Sequence, residues 1–144
     1  GLDPYEIVGY LISKKLKFKE FRQMSIAQLK KCIDECKPVL MMIQAWDNRY
    51  WKNAYKHYWE SGHWIIAIGY DDDNFYFEDP TIKGNFRGYI KINELYNKWH
   101  DIEIYHSRDN KVHHTYQYGI AIWNKKINKH QYKKQNKVSI KKIN

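Results

Sequence analysis

The pattern of apolar and polar positions is clearest over residues 62–80, which read GHWIIAIGYDDDNFYFEDP. The apolar run at residues 64–68 is rich in β-branched side chains and too short for a long helix, so it predicts a buried strand. The Asp-Asp-Asp-Asn run that follows is typical of a tight turn. Residues 75–77 predict a return strand, and Pro80 marks its end because proline cannot donate to a sheet ladder. We therefore predict a β-hairpin here.

Two helices are predicted by capping signals that precede apolar residues spaced three and four apart. Asp3 followed by Pro4 and Glu6 predicts a helix that ends near residue 14 or 15. Ser25 with Gln28 is a second capping box, and it begins a helix that extends to about residue 36. The buried stripe of this second helix is predicted to comprise Ile26, Leu29, Ile33 and Cys36.

The remaining elements follow from shorter patterns. Strands are predicted at residues 17–22, 39–45, 87–92 and 115–123, and the last should be central because residues 119–123 are nearly all apolar. Asn93 is predicted to cap a short helix over residues 94–100. Residues 46–61 predict a loop with a short helix, whose aromatic side chains either line a groove or pack into the domain. Residues 101–110 predict irregular structure.

Length and charge divide the chain into a domain and a tail. The 144 residues, with thirteen Tyr and six Trp, suffice for one domain with its own core. No apolar run is long enough to span a membrane, and the start has no signal-peptide pattern. Of the net charge of +9, eight charges arise at residues 124–144, where eight lysines and no acid occur. We predict a domain over residues 1–123 and a flexible basic tail, for which nucleic-acid binding is not favoured.

His63 and Asp79 are the candidate chemical groups of the hairpin. A hairpin places the start of its first strand beside the end of its second, so these residues can be neighbours although sixteen positions separate them. A carboxylate bonded to one ring nitrogen fixes the tautomer of a histidine, which then serves as a base for a thiol or hydroxyl. On this pattern alone, we favour the interpretation that the two residues stand at the ends of the hairpin by chance.

The two cysteines offer no second site. Cys32 and Cys36 lie four apart in a predicted helix, which suits neither a disulfide nor a zinc motif. Neither lies near a helix N-terminus, where a thiolate is stabilised, so both are predicted to pack as small hydrophobic residues. The histidines at positions 100, 106, 113 and 114 lack the spacing of a helical metal site. We expect no metal and no cofactor.

The order of these elements resembles the bacteriocin-processing (double-glycine leader) peptidases and their stand-alone relatives, a branch of the papain-like cysteine peptidases. The resemblance rests on GLDPYEIVGYL, on the capped helix followed by KPVLMMIQ, on the hairpin, and on GYIKINELYNKWHD. Together these segments cover roughly residues 1–123. The resemblance implies an α+β papain-like fold with a mainly antiparallel sheet flanked by helices. It also implies that His63 is the general base, that Asp79 orients it, and that the substrate is a peptide or protein.

The chain departs from the family at the nucleophile. In the family a cysteine begins a helix near the N-terminus, a few residues after an oxyanion-hole glutamine, whereas residues 1–16 contain neither. Gln44 lies on a predicted strand and does not fit the oxyanion role. Without the nucleophile helix, the strands at residues 39–45, 64–68 and 119–123 should leave one sheet surface uncovered.

Three explanations of this departure remain open. The sequence is a fragment of a complete peptidase, which we favour, or the nucleophile belongs to a second chain, or the protein is a degenerate relative that binds peptides without cleaving them. On any of these, the 144 residues alone are expected to be inactive, and the sequence does not decide whether the protein is an enzyme.

Overall fold

The computed structural model describes residues 2–46, 54–104, 111–124 and 141–142. The elements in chain order are α1 (Pro4–Ser13), β1 (Lys17–Phe21), α2 (Ile26–Asp34), β2 (Val39–Gln44), a 3₁₀ turn (Ala54–His57), β3 (Gly62–Tyr70), β4 (Asn74–Glu78), β5 (Arg87–Lys91), α3 (Ile92–Lys98), β6 (His100–Ile104), β7 (Val112–Tyr116), β8 (Gly119–Trp123) and β9 (Lys141–Lys142).

Most strands belong to one sheet of order β1-β8-β2-β3-β4-β5-β9, and β6 pairs with β7 in a second, two-stranded sheet. Every pairing is antiparallel except that of β9 with β5. The α+β fold with a mainly antiparallel sheet is therefore confirmed, and so is the hairpin, which is formed by β3 and β4. Strand β8 lies between β1 and β2, in the interior of the sheet as its composition predicts.

Both predicted capping boxes are present. The Asp3 backbone N–H donates to the Glu6 carboxylate at 2.8 Å. At α2 the Ser25 N–H donates to Gln28 Oε1 at 2.9 Å, and the Gln28 N–H donates to Ser25 Oγ at 3.1 Å. Each box satisfies backbone donors that a helix start leaves without an intrahelical acceptor, and this fixes where each helix begins.

Helix α2 ends two residues earlier than its apolar stripe suggests. The Lys37 N–H bonds to Cys32 O and the Cys36 N–H bonds to Ile33 O, both at 2.9 Å, which is the pattern of a Schellman motif. Cys36 has a φ of 59°, so it occupies the left-handed position that follows the helix. The placement of Cys36 on the helix was wrong, although its side chain is buried.

The two faces of the main sheet carry different hydrophobic clusters, because alternate residues of a strand point to opposite faces. On one face, Met41 and Ile43 of β2 pack with residues of α2 and α3. On the other face, Met42 packs with Ile7 and Leu11 of α1. The expectation of an uncovered sheet surface was therefore wrong for much of the second face, since α1 occupies it over β8, β2 and the start of β3.

The region after α3 also differs from its prediction. Helix α3 begins at Ile92 with Lys91 as its N-cap, so Asn93 is not the capping residue. His100 begins strand β6 instead of ending the helix, and residues 101–104 are strand, not irregular structure. Residues 115–123 form parts of two strands, because the extended backbone is interrupted at Gln117. This residue has a φ of 51°, and its N–H donates to Trp99 O at 2.8 Å.

A partly buried ion pair joins the small sheet to the residue that follows β1. Arg22 donates to both carboxylate oxygens of Glu103 on β6, at 2.8 and 3.2 Å. The Glu103 side chain is 2% exposed, and it also accepts a hydrogen bond from the Thr115 hydroxyl on β7. These bonds fix β6, which carries Asp101, against the end of the main sheet.

Within the described ranges no helix is long and apolar enough to cross a membrane. Of the predicted basic tail, the structure describes Asn124 and the two residues of β9; residues 125–140 and 143–144 lie outside the described part. The predicted flexibility of the tail stays a prediction.

The same substitution at two glycines should have opposite effects on stability. A Cβ at Gly62 would lie 2.8 Å from Cγ of Asp101, whereas a Cβ at Gly9 on α1 would meet no atom within 4 Å. We expect G62A to lower the free energy of unfolding by about 1–3 kcal/mol through overpacking. We expect G9A to raise it by about 1 kcal/mol, because alanine favours a helix interior. Urea unfolding measures both, and equal effects at the two positions would contradict the packing described here.

Candidate active site

His63 lies near the start of β3, at the edge of the sheet. The β2–β3 register places it opposite Ile43, on the face that also carries Ile65 and Ala67. Its side chain is 20% exposed, so the ring lies at the boundary between the core and solvent. A histidine in this position can contact both a buried partner and an external reactant.

Asp79 follows β4 and is fixed by a turn that its own sequence encodes. The Asp79 backbone N–H donates to Phe86 O at 2.7 Å, and its Oδ1 accepts from the Thr81 N–H at 2.8 Å and the Thr81 hydroxyl at 2.7 Å. The bond from a backbone N–H two residues ahead is an Asx turn, which the sequence Asp-Pro-Thr favours. The Asp79 side chain is fully buried, and Oδ2 is directed away from this turn to other donors.

The structure brings His63 and Asp79 together. Nε2 of His63 lies 2.8 Å from Oδ2 of Asp79, a proximity that the predicted hairpin allows. An ionised carboxylate only accepts hydrogen bonds, so Nε2 carries the hydrogen in this pair. The other ring nitrogen, Nδ1, is therefore the one that is available to take a proton from a nucleophile. The catalytic roles of these two residues stay predictions.

Trp46 is a partner of this pair that the sequence did not reveal. Its Nε1–H donates to Oδ2 of Asp79 at 2.5 Å, and its ring lies edge-on to the ring of His63, with 6.4 Å between the centroids. Trp46 follows the end of β2, which is adjacent to the start of β3. Only the strand register gives this proximity, since a tryptophan after a strand is by itself no signal for a carboxylate donor. Thr81 was also missed, although the Asp-Pro-Thr sequence offered a signal.

The pKa of Asp79 reflects a balance between burial and hydrogen bonding. Burial alone raises the pKa, but the bonds donated by Thr81, Trp46 and His63 outweigh it and lower the pKa below its usual value. The carboxylate is consequently ionised at neutral pH. An ionised carboxylate at this distance stabilises the protonated form of a neighbouring imidazole.

The side-chain amide of Gln44 is hydrogen-bonded beside the candidate site. It lies on the opposite face of β2 from Ile43, and its Nε2 donates to Asp101 Oδ1 at 2.8 Å and to His100 O at 3.2 Å. Its Oε1 accepts from the Ser61 N–H at 2.8 Å. These bonds tie the loop before His63 to β6 and engage both amide atoms, which supports its exclusion from an oxyanion role.

Neither cysteine contacts His63. Cys32 is buried between α2 and the β1–β8 side of the sheet, where it lines a cavity of about 210 Å³ together with Phe21 and Trp123. Burial raises the pKa of the Cys32 thiol, which is the reverse of what a nucleophile requires. Cys36 is buried at the end of α2. The 144 residues therefore place a histidine and a carboxylate together without a thiol.

An aromatic cluster lies in front of the small sheet, on the loop that leads to His63. The Trp59 ring packs against His100, His114 and Tyr116, with centroid distances of 4.5, 4.3 and 5.3 Å. Nε2 of His100 bonds to Tyr58 O at 2.7 Å, and burial lowers the pKa of His100. In the described part of the chain, no three His, Cys, Asp or Glu residues are placed to hold a metal ion.

Comparison with known proteins identifies the family. Residues 3–107 match the family described as the Peptidase_C39 like family. The chain belongs to this family. The match includes β2, β3 and β4 with His63 and Asp79, and it confirms the relationship that the sequence suggests. No curated protein matches the chain.

A solved structure supports the C39-like fold. It is the crystal structure of a protein from Bacillus anthracis that is described as a C39-like peptidase. The two share 15% sequence identity with a TM-score of 0.50, over 81% of this chain and 56% of that one. At this identity the likeness shows the fold alone. The chain spans little more than half the length of that C39-like protein.

D79N should destabilise this C39-like chain in a pH-dependent manner. The amide cannot accept the same set of charge-assisted bonds, so we expect a loss of about 2–3 kcal/mol in the free energy of unfolding at pH 7. Because the folded-state pKa of Asp79 is lowered from 3.8, its contribution is present above that pH and is lost as the pH falls through the folded pKa. The difference between D79N and the wild-type chain should therefore shrink below about pH 4.

Urea unfolding at several pH values measures this difference. D72N is the matched control, because Asp72 is an exposed carboxylate in the β3–β4 turn. A D79N effect that is the same at pH 3 and pH 7, or as small as that of D72N, would contradict the described role of the carboxylate.

Proposed function

We propose that this domain supplies the base and the orienting carboxylate of a cysteine peptidase. The observation that carries the proposal is the bond between His63 Nε2 and the buried Asp79 carboxylate, which leaves Nδ1 for a reactant. The C39-like family and the shared fold support a peptide or protein substrate. Cleavage of a leader peptide is the narrower substrate class that the resemblance implies.

In the proposed mechanism, Nδ1 of His63 accepts and then donates the proton in each half of the reaction. Nδ1 takes the proton of the cysteine thiol, and the thiolate sulfur forms a bond to the carbonyl carbon of the scissile peptide. The tetrahedral intermediate expels the amine, which receives that proton from Nδ1. Water then attacks the acyl-enzyme while Nδ1 accepts its proton, and the proton returns to the leaving sulfur. Throughout, Asp79 stabilises the imidazolium and holds the ring orientation.

The nucleophile in this proposal comes from outside residues 1–144. Cys32 and Cys36 are buried elsewhere, so the thiol belongs either to a segment that precedes Gly1 in a longer protein or to a second chain. The Trp64 Nε1–H donates to Leu2 O at 3.0 Å, so the N-terminal residues lie beside the start of β3, on the sheet face opposite to that of His63. We favour the longer protein.

A non-catalytic peptide-binding role is the second candidate. The observation that favours it is the lack of any cysteine at His63 among the 144 residues. In that case the aromatic cluster around Trp59 would contact a peptide that is bound and not cleaved. The coding sequence upstream of Gly1 separates the candidates, since a glutamine followed a few residues later by Cys-Gly is expected only for the peptidase.

The decisive variants are H63Q and D79N in the protein that includes the nucleophile. We expect H63Q to lower kcat/KM for peptide hydrolysis by about 10³–10⁴-fold and D79N by about 10²–10⁴-fold, because each breaks the base-and-carboxylate pair. Steady-state hydrolysis of a fluorogenic peptide measures the effect.

H57Q provides the control, since His57 is an exposed histidine of the 3₁₀ turn and should leave kcat/KM unchanged. If H63Q retains wild-type activity, His63 is not the base. If the intact upstream region contains no cysteine and no partner chain supplies one, the peptidase proposal fails and the binding role replaces it.

A further inference from the structure

Lys98 carries a buried amine directly behind the candidate active site. The residue is 4% exposed, and among the described residues its Nζ has no hydrogen-bond partner. Nζ lies over two aromatic rings, 2.9 Å from the centroid of Tyr55 and 5.2 Å from the centroid of Trp46. Lysine is seldom buried without a partner, so its presence here calls for an explanation.

The contacts of Trp46 connect this amine to His63. One side of the Trp46 indole faces Nζ of Lys98, and the indole Nε1–H donates to Oδ2 of Asp79. The same oxygen also accepts a hydrogen bond from Nε2–H of His63. The order of groups is therefore a cation, an aromatic face, an N–H edge and a carboxylate. Each contact in this order joins groups of opposite charge or partial charge. A cation near the face of an indole also strengthens the N–H as a donor.

We propose that Lys98 is a positioning residue that holds the indole of Trp46 in place to bond Asp79. The inference rests on the proposed function for its consequence in catalysis, because the bond from Trp46 orients the carboxylate that orients His63. The contact geometry itself is testable in the 144-residue chain without any nucleophile.

The energetic cost of Lys98 argues against a purely structural role. Burial lowers its pKa to about 7, and Glu94 on the same helix opposes this shift only in part. Nζ also lies over the rings of Tyr55 and Trp46, and Trp46 in turn donates to Asp79, the partner of His63. A methionine would fill the same space against both rings without this penalty, so packing alone does not require a lysine.

The NMR signal of the Trp46 indole N–H tests the proposal directly. In K98M we expect this proton to move upfield and to exchange with solvent several-fold faster, because its bond to Asp79 loosens. The Trp99 indole N–H, which donates to Tyr118 O at 2.9 Å, is the internal reference and should not change. K91M is the matched control, since Lys91 is exposed at the end of β5.

K98M should also raise the midpoint of thermal unfolding, although it loosens the site. In the wild-type chain the unfolded state binds more protons than the folded state between pH 7 and about pH 10.5, so wild-type stability rises with pH in that window. The advantage of K98M should accordingly be largest at or below pH 7 and should shrink toward pH 10. A merely structural lysine would give a lower midpoint in K98M and an unchanged Trp46 signal.

A second measurement keeps the test open if K98M fails to fold. In H63Q, where the imidazole is absent, raising the pH from 6 to 9 neutralises Lys98 and should shift the Trp46 proton upfield. An unchanged Trp46 signal in either experiment, or equal shifts of the Trp46 and Trp99 signals, would overturn the proposal. Failure of peptide hydrolysis in the intact protein would instead bear on the proposed function, because these signals do not depend on cleavage.

Discussion

The buried carboxylate of Asp79 is the interaction on which the candidate site depends. An ionised carboxylate is costly to bury unless hydrogen bonds replace its water, and here Thr81 satisfies Oδ1 while Trp46 and His63 satisfy Oδ2. The two oxygens of the Asp79 carboxylate therefore have different partners. One fixes the turn after β4, and the other holds two rings in a defined arrangement at the edge of the sheet.

The antiparallel sheet explains why these residues meet. The end of β2, the start of β3 and the end of β4 lie at the same edge, because successive strands run in opposite directions. Trp46, His63 and Asp79 come from these three positions. The helices α2 and α3 cover the face from which the site is built, while α1 covers much of the other face. The strand order of this C39-like fold thus brings the three side chains together.

Local patterns predicted most of the fold, whereas the site depended on distant contacts. The capping boxes and the β3–β4 hairpin followed from short segments, and the hairpin allowed His63 and Asp79 to be neighbours. The bond from Trp46 and the burial of Lys98 arise from strand register and packing, which no short segment encodes. The same limit explains two errors. Cys36 continues a helical stripe but follows the helix, and residues 115–123 read as one strand until the backbone of Gln117 breaks them.

The central claim is that His63 presents Nδ1 to a reactant while Nε2–H bonds Asp79. The ¹⁵N chemical shifts of the His63 ring in the neutral state measure this tautomer directly in the 144-residue chain. The account predicts a protonated Nε2 and an unprotonated Nδ1. A neutral ring with its proton on Nδ1 would contradict the account, because the nitrogen assigned to the nucleophile would then be unable to accept a proton.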